Sequence, residues 1–250
     1  MLSHRTNSIV VLVDINRSEL EETNTSLVAK SYKAHSFICD VSSDSDVRSL
    51  ISDVIENVGI PDIVHNNAVF IRSGNILNLS LEDSKRMFDV NALGYLRIIQ
   101  GFAPPMITRG QGGWFANTVS PNGIMPANPA IAELANYSLC KAADISLSMS
   151  AAMTLRLHGI GVSILFPDVV YPKSVHELSG PASQEFKDGF VNFITAAGAP
   201  SGDVAKKLMQ GVKERRFFVN AAPGFEGQLK LYAEHLLDPN VHYDALQANP

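Results

Sequence analysis

The sequence has few cysteines, no long apolar run and no block of basic residues, and each of these absences argues against one class of protein. Its 250 residues include only two cysteines, Cys39 and Cys140, too few for a disulfide framework or for a zinc site made of cysteines alone. No apolar run approaches the ~18 residues of a membrane-spanning helix, and residues 1–8 hold no apolar segment of a secretory signal. The net charge is −5 and the basic residues form no block, which argues against a nucleic acid partner. We therefore expect a cytoplasmic protein without a metal site.

What the sequence does contain is enough apolar material for a core, since 46% of its residues are hydrophobic and 18% are charged. Short β-branched runs alternate with segments of helical periodicity. The predicted strands are 9–13, 35–41, 62–65, 112–119, 161–166 and 217–219, and the longest helical stretch runs from 80 to 107 with a bend at Pro104-Pro105. This alternation predicts an α/β fold with a parallel sheet, formed by residues 1–250 as a single domain.

Polar residues follow most of these predicted strands. In parallel α/β sheets ligands bind beyond the carboxyl ends of the strands, so these residues are expected to share one edge of the sheet. They are Asp14, Asp40-Val41, Asn66-Asn67, Thr118-Val119-Ser120 and Pro167-Asp168.

The segment with the clearest chemistry is Tyr137-Ser-Leu-Cys-Lys141. Residues four apart lie on one face of a helix, so the Lys141 ammonium can approach the Tyr137 phenol. A nearby positive charge lowers a phenol pKa that starts near ~10, which makes Tyr137 a usable general acid or base. Alone, this spacing also occurs by chance on solvated helix faces.

The residues that precede this pair give it context. Asn66-Asn-Ala68 follows a strand, Asn91 lies in Asp89-Val-Asn-Ala-Leu-Gly94, and Ser120 follows the fourth strand. In this order and spacing, nearly the whole chain resembles the short-chain dehydrogenase/reductase family. The resemblance implies a doubly wound, Rossmann-like sheet with Asn91, Ser120, Tyr137 and Lys141 as the catalytic tetrad. It also implies cofactor contacts at Asp14, Asp40, Val41, Asn67, Ala68, Tyr137 and Lys141.

The same resemblance implies an NAD(P)-dependent oxidoreductase that interconverts a hydroxyl and a carbonyl group on an apolar small molecule. Tyr137 would exchange a proton with the substrate oxygen, which Ser120 would hold. Lys141 would lower the phenol pKa and contact the nicotinamide ribose, and Asn91 would position a water. Asp14, at the ribose hydroxyls, favours NAD over NADP. Subunits of the family often pair through their long helices, so we expect a homodimer or homotetramer.

One part of the family pattern has no counterpart in the sequence. A dinucleotide site needs a glycine-rich turn before its acidic residue, yet none of the 13 residues before Asp14 is glycine. We therefore expect the sheet to lack the family's first, central strand, and the pyrophosphate to lose its helix N-terminus. NADH and NADPH should then bind weakly or not at all, the more so because Asp168 adds a carboxylate. Two alternatives stay open: a non-redox acid/base enzyme such as a cyclase, isomerase or lyase, and a cofactor-free non-catalytic paralogue.

Overall fold

The computed structural model of the protein describes residues 8–124, 132–167, 169–170 and 178–237. Asp168, which the sequence analysis placed near the cofactor phosphates, lies outside the described residues. So do residues 125–131 of the loop between Ser120 and Tyr137.

In the described part of the chain, strands and helices alternate as the sequence predicts. The strands are β1 (Ile9–Asp14), β2 (Lys33–Ile38), β3 (Ile63–Asn66), β4 (Gly113–Thr118), β5 (Ile160–Phe166) and β6 (Phe218–Asn220). The helices are α1 (Arg17–Ala29), α2 (Asp44–Asn57), α3 (Leu81–Phe88), α4 (Gly94–Arg109), α5 (Ala135–Leu155), α6 (Gln184–Ala197), α7 (Ser201–Lys213) and α8 (Phe225–Leu237). None of these helices is long and apolar enough to cross a membrane.

All strand pairs are parallel, but the strands form two sheets rather than one. β1 pairs with β2 in a two-stranded sheet, and the other four strands follow the order β3-β4-β5-β6. The predicted parallel α/β architecture is thus confirmed. Among the described residues no strand lies between β1 and β3.

Two helices hold the two sheets together. Residues of α2 and α4, among them Leu50, Ile98 and Phe102, form one apolar cluster with Val11 of β1 and Val64 of β3. The start of α2 is set locally: Ser43 accepts a hydrogen bond from the Asp46 backbone at 3.2 Å, as a helix N-cap does. The helices therefore bridge the sheets on one face and leave a cleft between their edges.

The long helical stretch is interrupted well before its two prolines. Pro104 and Pro105 lie inside α4, whereas the regular helix is interrupted at Asp89–Leu93 by a π-helical turn. This turn contains Asn91, whose side chain is fully buried and bonded to Phe70. Single π turns are frequent at functional sites, where they redirect a side chain. The interruption therefore follows from a tertiary contact rather than from the prolines.

Candidate active site

The ends of β1, β2 and β3 open into the cleft between the two sheets, which has a volume of about 620 Å³. Its floor is apolar, with Tyr95, Ile98 and Phe102 of α4. The expected cofactor-edge residues share it, as the parallel topology requires. Those lining the cleft are Asp14, Asp40, Val41, Asn67 and Ala68.

Asp14 ends β1 with an exposed side chain. Its Oδ1 accepts a hydrogen bond from the Asn16 backbone at 2.9 Å, and Asn16 in turn caps α1. The carboxylate therefore shapes the strand-to-helix turn while it remains open to the cleft. This position is compatible with the hydrogen bond that shapes the turn and also with a contact to the hydroxyl groups of a ribose.

Asp40 is already engaged by neighbouring side chains. Its carboxylate accepts hydrogen bonds from the Ser42 hydroxyl at 2.6 Å and from Arg86 Nη2 at 2.9 Å. Partial burial disfavours the ionised form, but the hydrogen bonds from Ser42 and Arg86 outweigh it and lower the pKa of Asp40. Next to it, Val41 packs so closely on Gly94 of α4 that an added Cβ would lie 2.9 Å from Val41 Cγ2. An adenine at this edge would have to share Asp40 with Arg86.

The asparagines at the end of β3 tie this strand to β4. Asn66 Nδ2 donates to Asn117 Oδ1 at 2.8 Å, and the Thr118 hydroxyl donates to Asn67 Oδ1 at 2.9 Å. His65 also contacts the Thr118 hydroxyl, at 2.9 Å from Nε2. Asn67 thus links the residue after β3 to the end of β4.

Asn91 is held by both ends of its amide. Its Nδ2 donates to the Phe70 carbonyl at 2.8 Å, and its Oδ1 accepts from the Phe70 backbone N–H at 2.7 Å. It also interacts with the thiol of Cys140 on α5, where burial raises the thiol pKa to about 11. The side chain of Asn91 therefore fastens the loop after β3, and Cys140 is a packed thiol rather than a nucleophile.

Ser120 lies directly after β4, in a short turn that packs on α5. Its Oγ accepts a hydrogen bond from the Asn122 backbone at 3.2 Å and starts the 3₁₀ turn Pro121–Gly123. Gly123 touches the helix so closely that an added Cβ would lie 2.5 Å from the Lys141 carbonyl carbon. The turn thereby fixes Ser120 beside the helix that carries Tyr137 and Lys141.

Lys141 lies at the centre of a buried polar cluster. Its ammonium donates to the Thr118 carbonyl at 2.8 Å, and it lies 5.8 Å from the Tyr137 ring centre and 5.2 Å from that of Tyr95. Burial works against the positive charge, but the surrounding Tyr95, Tyr137 and Asp144 outweigh it and raise the pKa of Lys141. Tyr137 is partly exposed. The helix thus brings phenol and ammonium onto one face, as the spacing predicts.

One acidic residue belongs to this cluster and was missed by the sequence analysis. Asp144 is fully buried, and its Oδ2 lies 3.1 Å from Lys141 Nζ. Behind it, Ser148 donates to the Asp144 carbonyl at 2.6 Å and accepts from Asn117 Nδ2 at 2.8 Å. The available signal was an acidic residue three positions after Lys141, on a helix otherwise rich in Ala, Ser, Leu and Met.

Comparison with known proteins places this arrangement in a family. The family model described as short chain dehydrogenase matches residues 2–181, which is well over half of the chain. The chain belongs to the short-chain dehydrogenase family.

Two relatives of this chain are named as dehydrogenases of sorbitol and of galactitol. Sorbitol dehydrogenase of Cereibacter sphaeroides is 31% identical over 166 residues, which are 66% of this chain and 62% of that protein. Galactitol 2-dehydrogenase of Agrobacterium fabrum is 32% identical over 161 residues, which are 64% of this chain and 60% of that protein. The chain thus spans about three fifths of the length of these two relatives.

A solved structure supports the fold. The short chain dehydrogenase/reductase of Burkholderia phymatum, in complex with NAD, matches with a TM-score of 0.81 at 24% identity. The match covers 96% of this chain and 86% of that one. At this level of identity the similarity establishes the Rossmann-like α/β fold.

The lining of the described cleft suits the adenosine part of a nicotinamide dinucleotide better than its pyrophosphate. Its apolar floor and the acidic strand ends fit a nucleoside. The only glycine that lines the described cleft is Gly94, which lies within α4, so the lining supplies no glycine-rich turn for phosphates. Lys141, 2% exposed, is already bonded to Thr118 and Asp144. The residues present thus fit the adenosine end and provide no cradle for the pyrophosphate.

Proposed function

We propose that this chain is an NAD(P)-dependent oxidoreductase that interconverts a hydroxyl and a carbonyl group on an apolar small molecule, with Tyr137 as general acid and base. The observation that carries the proposal is the placement of Tyr137 and buried Lys141 on one face of α5, beside the Ser120 turn. The proposed catalytic residues are Asn91, Ser120, Tyr137 and Lys141, and the proposed cofactor contacts are Asp14, Asp40, Val41, Asn67, Ala68, Tyr137 and Lys141.

The chemistry divides between the bound nicotinamide and the protein. A nicotinamide supplies the hydride acceptor or donor. In alcohol oxidation Tyr137 takes the hydroxyl proton, and in carbonyl reduction it returns a proton to the oxygen, which the Ser120 hydroxyl orients. Lys141 adds positive charge near the phenol, while Asn91 holds the π turn and the loop after β3 in place.

An apolar substrate is supported by α6, which follows the site in the chain. The hydroxyl of Ser183, the N-cap residue of α6, donates a hydrogen bond of 2.8 Å to the carboxylate of Glu133. Glu133 lies just before the start of α5. On α6, Phe186 and Phe190 stack with ring centres 6.0 Å apart, and Phe193 is half exposed. This aromatic face near the start of the catalytic helix suits an apolar alcohol or ketone better than a sugar alcohol.

We further propose that all 250 residues form one domain and that the chain is a homodimer or homotetramer. Apolar side chains stay exposed on the π turn and on α5, and helix faces of this kind suit pairing between subunits. They are Leu93, Leu139, Met149 and Met153.

The test is an assay of the full chain with NAD⁺ and NADP⁺, using sorbitol and cyclohexanol as alternative alcohols. We expect turnover of cyclohexanol in preference to sorbitol, and loss of about 10²-fold or more in Tyr137→Phe, because proton transfer by a positioned group contributes about 10²–10⁴-fold. The matched control is Tyr32→Phe, which removes the same hydroxyl between α1 and β2. Near-normal turnover in Tyr137→Phe would rule out Tyr137 as the acid and base.

A calorimetric titration of NADH and NADPH into the same chain separates the redox proposal from a second candidate. The second candidate is a non-redox acid/base enzyme, which is favoured by the Asp40–Arg86 ion pair and the missing glycine turn. We expect weak binding, since each lost charge-assisted hydrogen bond removes about 1.5–3 kcal/mol. If the chain neither binds NADH or NADPH nor turns over an alcohol, the second candidate is favoured. Micromolar binding would contradict the importance that we give to the glycine-rich turn.

A further inference from the structure

The cleft between the two sheets is bordered by two strand edges that have no neighbouring strand among the described residues. β1 pairs only with β2 and β3 pairs only with β4, and residues of both β1 and β3 line the cleft. A free strand edge presents a row of backbone N–H and C=O groups, which is a template for pairing with a further strand. The proposed reaction at α5 gives these two rows no task.

The two free edges run towards the same end of the cleft. The last residues of β1 and β3, Asp14 and Asn66, both line it. Because each strand already belongs to a parallel sheet, a strand that lies between them and runs in their direction would join the two sheets into one parallel sheet. The N–H and C=O of one residue of such a strand point to one neighbour, and those of the next residue point to the other.

The side chains of β1 show which kind of strand fits. Val11 packs in the apolar cluster of α2 and α4, whereas Ile9 and Val13, on the same face of the strand, are 44% and 39% exposed. Ile98 and Phe102 of α4 form the floor of the cleft next to this face. A strand in the cleft would therefore turn alternate apolar side chains to α4 and bury surface that β1 leaves in water.

The charges at the open end of the cleft add a second requirement. Asp14 and Asp40 are the acidic side chains of the described lining. Asp40 is paired with Arg86, with 2.9 Å between carboxylate oxygen and Nη2, whereas Asp14 is exposed at the end of β1. A parallel strand leaves the cleft at this end, so a basic residue directly after its apolar part would complement the Asp14 carboxylate.

The described strands β1 to β6 all have places in the two sheets, so none of them supplies this strand. Parallel neighbours are joined by a crossover of about a dozen residues or more, and the seven residues before Ser8 are too few for one beside β1. Residues 238–250 follow α8, whose Phe225 packs on Phe166 of β5, two strands away from the free edge of β3. The strand is therefore assigned to another chain.

We infer that the cleft is a docking site for an extended apolar segment of another polypeptide chain, which binds as a strand parallel to β1 and β3 and is followed by a basic residue. β3 has four residues and β1 has six, so a segment of about five residues is long enough to run along both. The cleft volume of about 620 Å³ lies within the usual range of binding cavities, about 300–1,000 Å³. This docking site goes beyond the proposed function, because it uses strand edges rather than the side chains of α5.

The test is a fluorescence anisotropy titration of the full chain with a labelled peptide, acetyl-Val-Thr-Val-Thr-Val-Lys-Lys-amide. Two matched peptides keep its side chains but carry N-methyl groups, one on the three valines and one on the two threonines, so each lacks the N–H groups on one side of the strand. We expect both to bind at least about 10-fold more weakly than the parent peptide, because each loses hydrogen bonds to one edge. No binding of the parent peptide, or equal binding of all three peptides, overturns the proposal.

A pair of variants locates the site on the chain. Val13→Lys places a positive charge in the cleft lining and should weaken binding of the parent peptide at least about 10-fold, because the charge meets apolar side chains and the lysines of the peptide. The matched control is Val28→Lys on α1, which is 53% exposed and lies outside the cleft lining, and it should leave binding unchanged. Equal affinities of the two variants overturn the proposal.

Hydrogen exchange of the unmodified chain shows which edges the peptide covers. With the parent peptide bound, we expect slower exchange in Ile9–Asp14 and Ile63–Asn66. Protection of Phe218–Asn220, at the outer edge of the larger sheet, without protection of β1 and β3 overturns the proposal. Since these measurements need neither cofactor nor turnover, their outcome is independent of a failure of the proposed redox activity.

Discussion

Asn91 shows how a single residue of the proposed tetrad can also hold parts of the fold together. Both atoms of its amide bond to the backbone of Phe70, and the residue lies in the π turn that joins α3 to α4. The loop after β3 and the helix beside the active site are thus linked through one buried side chain. A loss of activity after substitution of Asn91 would therefore need a stability measurement beside it.

We expect Asn91→Ala to lower the free energy of unfolding by about 1–3 kcal/mol, because it leaves the Phe70 N–H and carbonyl without partners in a partly buried place. The measurement is urea unfolding followed by circular dichroism. The matched control is Asn57→Ala, which removes one exposed bond to the Asp53 carbonyl and should cost less than about 0.5 kcal/mol. Equal losses in the two variants would contradict the structural role of Asn91.

The residues of the site differ in how readily the sequence reveals them. Tyr137 and Lys141 were predictable because helical spacing alone places them on one face. Asp144 lies on the same face, yet an acidic residue on a helix is usually solvated, and only the packing of β4 on α5 buries it. The engagement of Asp40 by Arg86 was hidden for the same reason, since it joins residues 46 positions apart.

At the scale of elements, the contact between the Ser120 turn and α5 has almost no room to adjust. An added Cβ on Gly123 would lie 2.5 Å from the Lys141 carbonyl carbon and 2.8 Å from the Ala142 nitrogen. Both neighbours are backbone atoms of a helix and cannot rotate away. Ser120 and Tyr137 therefore keep their mutual placement only as long as position 123 lacks a side chain.

We expect Gly123→Ala to push the turn away from α5 and to lower turnover by about 10²-fold, because small misplacements of reacting groups have effects of this size. Gly189→Ala in α6 is the matched control, since an added Cβ there meets nothing within 4 Å. It should leave turnover unchanged and add about 0.5–1 kcal/mol to the free energy of unfolding, as alanine does in helices. Full activity in Gly123→Ala would show that the turn can move without harm.

The order of elements was predictable to a larger extent than their interruptions. Apolar β-branched runs located all six strands to within a few residues, and helical periodicity located the stretch that holds α3 and α4, because both patterns are local. The π turn at Asp89–Leu93 was not predicted. It coincides with the contact of Asn91 with Phe70, which lies 21 positions away, and local periodicity does not reveal such a contact.

At the scale of the whole molecule, the two sheets differ in how fully their strands are paired. β4 and β5 each pair with a strand on both sides, whereas β1 pairs only with β2. Parallel strands are normally buried on both faces, yet Ile9 and Val13 of β1 are 44% and 39% exposed. The division into two sheets thus goes with the absence of a strand between β1 and β3 among the described residues.

We expect the backbone amides of β1 and β2 to exchange with deuterium at least about 10²-fold faster than those of β4 and β5. A two-stranded sheet is marginal by itself, and here it is attached to the rest mainly by the packing of α2 and α4 and by the Asp40–Arg86 ion pair, so it can open without unfolding the four-stranded sheet. Hydrogen exchange measured by mass spectrometry on peptides covering Ile9–Asp14, Lys33–Ile38, Gly113–Thr118 and Ile160–Phe166 gives the comparison, with α5 as the internal reference. Equal protection of all four strands would mean that the two sheets open only together, and the cleft between them would then be as rigid as a continuous sheet.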